Sequence, residues 1–125
     1  MPTDRNDLFA RVIALALEFP RVEVGSSGGE PVLKANKKFM ARMWPPDGET
    51  LMVQCANVDE KEFFLASEPE VFVPFLHYKD SRAVLVRLPV VTDMRLRELL
   101  EQAWRNNVPA KLIRELEASR ANRTE

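Results

Sequence analysis

Two residues of this chain have the chemistry of a nucleophile and its base: the single cysteine, Cys55, and the single histidine, His77. A thiolate attacks and an imidazole takes its proton, provided a third group orients the ring. Beyond Asp80, no side chain in the sequence suggests itself for that task. Cys55 shares the two-residue phase of Leu51 and Val53. That phase points into a core, where a thiol behaves as a small apolar group with a raised pKa. The pair therefore reads as an inert thiol and a loop histidine. No catalytic residue is assigned, and the protein is expected not to be an enzyme. One Cys and one His also fall short of a closed zinc site, so neither metal nor cofactor is expected.

Charge offers a stronger lead. Residues 31–44 carry Lys34, Lys37, Lys38 and Arg42 and no acid, a local charge of +4. Cations on one strand face neutralise phosphates and release their counterions. The loop His77-Tyr78-Lys79-Asp80-Ser81, followed by Arg82, adds further cations and a ring that stacks on bases. Lys34, Lys37, Lys38, Arg42, Tyr78, Lys79 and Arg82 are the candidate nucleic-acid contacts. Arg87 lies nearby, and Trp44 is a second stacking group or a hairpin cap. The competing reading is a solvated strand face with local charge pairs and a plain turn at Asp80-Ser81. The acidic stretch Asp59–Glu70 contains no histidine and reads as a solvated helix face. Gly25-Ser26-Ser27-Gly28-Gly29 leads into Glu30-Pro31 rather than Gly-Lys-Ser/Thr and a helix, so it reads as a connection, not a phosphate loop.

These residues need a scaffold. The chain has 125 residues, 46% hydrophobic and 30% charged, which suits one core. A single domain over 1–118 with a frayed tail at 119–125 is expected. The 18 Lys and Arg nearly balance 19 Asp and Glu, which excludes a polycation. That balance conceals segments of −2 (1–30), +4 (31–44), −6 (45–70) and +3 (71–125). One cysteine forms no internal disulfide. The acidic start Met1–Asp7 does not suit a leader, and Val12–Leu17 is too short to span a membrane. A soluble, cytoplasmic protein is expected, with no membrane partner.

Apolar spacing predicts a helix over 4–18, a loop over 25–31 and strands over 32–35, 39–43 and 51–55. Pro45-Pro46-Asp47-Gly48 is the expected hairpin turn. Met40, Trp44 and Met52 fall on the outward phase. A helix over 57–67 is expected to be capped by Asp59 with Glu62, with Phe63, Phe64 and Ala66 inward. Strands over 71–73 and 82–88 follow. A helix with the stripe Leu96, Leu99, Leu100, Ala103 and Trp104 is capped by Thr92 or Asp93. Pro109 opens a last helix whose apolar face is Leu112, Ile113 and Leu116. This order predicts an α+β fold, an antiparallel sheet in two layers with helices on one face.

The ordered segments resemble the MmcQ/YjbR family of small bacterial proteins. Lys37-Lys38-Phe39-Met40-Ala41 resembles its K-x-F-A strand, and Gly48–Cys55 its G-x-L-x-L-K-C strand. Asp59–Phe72 is similar to its short helix and P-x-V-x-P, and Val73–Tyr78 to its aromatic loop. Arg82–Leu88 fits the following strand, and Leu96–Leu112 resembles the C-terminal L-x-x-L-L-x-x-S-Y-x-L-V-A-x-K-x-L. The resemblance implies a secretion-chaperone-like α+β fold, a DNA-binding label and no attached catalysis. Arg82-Ala83 stands where the family often has an aromatic, Ala103-Trp104 replaces Ser-Tyr, and the Gly-Ser loop replaces a more aromatic lead-in. Two alternatives stay beside DNA binding. One is a protein–protein or chaperone-like module that uses an exposed apolar sheet face. The other is a small-molecule binder with a pocket between the sheet and the C-terminal helices.

Overall fold

The computed structural model describes residues 5–27, 30–43, 49–74 and 81–123. The elements run α1 (Arg5–Ala16), β1 (Val22–Ser27), β2 (Glu30–Ala35), β3 (Lys38–Met43), β4 (Thr50–Gln54), α2 (Val58–Ser67), β5 (Phe72–Val73), β6 (Ala83–Arg87), α3 (Asp93–Arg105) and α4 (Ala110–Arg123). The six strands form one antiparallel sheet in the order β1-β2-β3-β4-β6-β5. This is the expected α+β arrangement. The expected turn 45–48 and most of the loop 77–81 lie outside the described residues, Ser81 excepted.

One sheet face carries the core. Leu33, Ala41, Val53 and Val84 form one row across it, and Met43, Leu51, Val86 and Phe72 a second. They pack with Leu8, Val12, Leu96, Leu100 and Trp104 in a single buried cluster, which α2 and α4 flank with Phe64, Leu65, Leu112, Ile113 and Leu116. Burial of each large aliphatic side chain contributes about 1.5–3 kcal/mol. Trp104 is fully buried, its ring stacked on Phe19 at 5.6 Å, and its Nε1–H donates to the Pro20 carbonyl at 2.7 Å. The stripe of α3 is buried as its spacing predicts, and Thr92 caps it by accepting from the Arg95 amide. Pro109 leads into α4 as expected, its carbonyl accepting from the Leu112 amide at 3.0 Å. The helix runs past 118 to Arg123, and Arg120 is bonded to Glu101.

Three expectations are corrected. The stretch 25–27 and Pro31 are strand rather than loop: β1 pairs along its length with β2, from Val22 opposite Ala35 to Ser27 opposite Glu30. Gly and Ser are poor strand formers alone, so pairing decides here. The second correction is Met40. The β2–β3 register shifts between Leu33 and Lys34, so Leu33 faces Ala41 while Lys34 faces Phe39. Met40 is the extra residue of a bulge. It turns inward and is fully buried beside Ala41 instead of standing on the outer face. The third is α2. Asn57, not Asp59, caps it by accepting from the Glu60 amide, and Glu60 reaches back to the Ala56 amide. Its inner face is Lys61, Phe64 and Leu65, whereas Phe63 is 67% exposed and Ala66 is exposed.

Candidate nucleic-acid interface

The face of the sheet away from the core carries the row Val32, Arg42, Met52, Leu85 and Val73. Lys34, paired with Phe39, shares this face. Lys34 and Arg42 therefore stand on one surface, as the strand phase requires. Ala83 and Leu85 are buried there against Met52 and Val73, so Met52 is not part of a bare apolar face.

Lys37 sits at the tip of the β2–β3 hairpin. Ala35 pairs with Lys38, which leaves Asn36 and Lys37 as a two-residue turn with φ of 54° and 67°. Positive φ at both positions is the signature of the type I′ turn that fits the sheet twist. Asn suits the first position. The second normally takes Gly, and a residue with a side chain costs roughly 1 kcal/mol there. Lys38 is exposed but, paired with Ala35, belongs to the core-side rim. Arg82 is exposed and donates to Gln54 Oε1 at 3.1 Å. Since Ala41, Val53 and Val84 are level, Arg82 lies at the same end of the sheet as the tip. It stands two strands from β3, about 10 Å across. Arg87, opposite Thr50, lies at the other end. Tyr78, Lys79, His77 and Trp44 lie outside the described residues.

Five arginines of the helical layer are already paired, while Arg114 of α4 has no ion pair among the described residues. Arg95 pairs with Glu68 and Glu98, Arg97 with Glu18, Arg105 with Glu101 and Glu117, Arg120 with Glu101, and Arg11 with Asp93. Among the described residues none of Lys34, Lys37, Lys38 and Arg42 has an ion pair. The Nε of Arg42 is buried without a hydrogen-bond partner. One cation escapes a reading by segment charge: Arg21. It precedes β1, and only the β1–β2 pairing reveals that it adjoins the hairpin tip. There the Asn36 amide donates to the Arg21 carbonyl at 2.9 Å.

Cys55 is buried, and that burial, with the nearby charge of Glu60, pushes its thiol up to about 12. A cavity of about 350 Å³ lies between α2 and α3 beside Glu60, Arg95, Glu98 and Glu101 rather than under the sheet. Its carboxylates are already engaged by the Ala56 amide and by Arg95, Arg105 and Arg120. Among the described residues no helix is long and apolar enough to cross a membrane.

A family model described as YjbR matches residues 17–106, most of the chain and all six strands. One Mycobacterium bovis protein and two Mycobacterium tuberculosis proteins, each described as uncharacterized, are 31% identical over 85 residues. That match covers 66% of this chain and 66% of each relative, just under two thirds of their length. No solved structure matches the chain.

Proposed function

The chain belongs to the YjbR family, and from that premise we propose that it is a non-enzymatic, cytoplasmic DNA-binding protein whose contact surface is the β2–β3 hairpin. The carrying observation is the split in charge pairing. The helical layer spends five of its arginines on its own carboxylates, Arg114 excepted, while Lys34, Lys37, Lys38 and Arg42 cluster unpaired at the hairpin and are left for an external anion. Arg82 extends the surface across the same end of the sheet. Tyr78 and Lys79, the other candidate contacts, lie outside the described residues. The buried, protonated thiol of Cys55 supports a role without catalysis.

Fluorescence anisotropy with labelled duplex and single-stranded oligonucleotides tests this. Binding is expected to weaken with salt at a slope of about −0.9 per phosphate contact, roughly −4.5 for Lys34, Lys37, Lys38, Arg42 and Arg82 together. Lys37→Glu with Lys38→Glu is expected to weaken binding by about tenfold or more. No binding at low salt, or binding indifferent to that double change, sinks the proposal.

A further inference from the structure

We infer that Arg21 and Lys37 form a preformed seat for a single phosphate group at the tip of the β2–β3 hairpin, a site that deepens the DNA-binding reading and rests on it. The described residues other than glycine with positive φ are Arg21 (67°), Asn36 (54°) and Lys37 (67°), and all of them line one cavity of about 190 Å³ together with Val22 and Glu23. Left-handed backbone favours Gly or Asn. Asn36 fits that preference. Arg21 and Lys37 do not, and both are long cations, exposed and without an ion pair among the described residues. Strain retained at two adjoining positions that both carry a free positive charge points to an anion.

The seat is held from below. The Asn36 amide donates to the Arg21 carbonyl at 2.9 Å, which ties the two strained segments together. Asn107, itself buried, donates from Nδ2 to the Phe39 carbonyl at 2.8 Å, and its carbonyl accepts from Asn36 Nδ2 at 3.5 Å. Trp104 holds the Pro20 carbonyl just before Arg21. Backbones fixed in this way present the two cations without a backbone ordering cost at the moment of binding. Glu23 lines the same cavity but stands opposite Lys34 across the β1–β2 pair. Its charge opposes an anion, which supplies a control of opposite sign.

The test uses the full chain and a labelled duplex, with affinity read against salt concentration for wild type, Arg21→Gln, Lys37→Gly and Glu23→Gln. Arg21→Gln and Lys37→Gly are each expected to reduce the salt slope by about 0.9. Lys37→Gly is expected to hold or raise the thermal midpoint, because glycine suits the backbone there, so lost binding is separated from lost folding. Glu23→Gln is expected to tighten binding. In a second arm, titration with inorganic phosphate is expected to shift the amide resonances of Arg21, Asn36 and Lys37 first. Wild-type slopes retained in Arg21→Gln and Lys37→Gly overturn the seat and leave the DNA reading standing. Phosphate shifts at these amides without any duplex binding keep the seat and overturn the DNA reading. Phosphate shifts elsewhere only, with no effect of the substitutions, overturn the seat.

Discussion

At Cys55 the residue type suggests a nucleophile and the position makes it a filler. Burial first, and then the charge of Glu60, push its thiol up to about 12, well above an unfolded cysteine. The folded state therefore keeps a proton that the unfolded chain releases. The linked stability is intact below the unfolded value, near 8.5, and drains as pH rises from there toward 12. Native protein at pH 8 should resist thiol labelling until denaturant is added, and prompt labelling of folded protein refutes the assignment. Glu101 has the opposite sign. Hydrogen bonds from Arg120 and from Arg105 hold its carboxyl below the usual range. Its contribution is present above the unfolded carboxylate value and is lost as pH falls through the lower folded value. Glu101→Gln should therefore flatten the acid limb of a stability–pH curve measured by urea midpoints. An acid limb as steep as that of wild type counts against the Arg105–Glu101–Arg120 cluster as its source.

Elements differ in how openly the sequence announces them. The α3 helix was legible because its pattern is redundant: five buried stripe positions, Leu96 to Trp104, and a Thr92 cap agree. Thr92→Ala should cost about 1 kcal/mol through the lost bond to the Arg95 amide, read as a lower urea midpoint with unchanged slope. β6 was legible as a short β-branched apolar run, Ala83 to Val86, held between Arg82 and Arg87 and buried on both faces. The first strand was hidden, because Gly25, Ser26 and Ser27 become strand only through β2. The bulge was hidden as well. A single inserted residue resets the phase without leaving a compositional mark, so Met40 reads as outward when Ala41 and Met43 read as inward. The two placements differ in energy. Met40→Ala should cost about 2–5 kcal/mol if the side chain fills the core, against about 0.5 kcal/mol or less for an outer-face position. An unfolding midpoint close to wild type for this variant removes the bulge. In α2 the apolar residues Phe63 and Ala66 misled, because the helix turns the stem of Lys61 inward and its Nζ–H donates to the Ser81 carbonyl at 2.5 Å.

For the molecule as a whole, the net charge of −1 is the least informative number about binding. The candidate contacts were legible as a run of cations in 31–44, because an absence of acids over fourteen residues is visible in the sequence. Their division between two faces was not, since the bulge places Lys34 and Arg42 on one side and Lys38 on the rim of the other. Nor was Arg21, which adjoins the tip only after the sheet has formed. Pairing state, not charge count, separates the two layers, and matched substitutions can isolate it. Lys37→Gln with Lys38→Gln and Arg97→Gln with Arg120→Gln change the net charge by the same amount. If the overall field governs duplex binding, the two double variants weaken it alike. If binding is local, the hairpin pair should reduce the salt slope by about 1.8, while the helical pair should leave it unchanged. Arg97 and Arg120 are already held by Glu18 and Glu101, so their loss should appear instead as a fall in stability of about 1 kcal/mol or less per exposed pair. Equal slopes for the two variants would mean that the ion pairing of the helical layer has no bearing on where the anion binds.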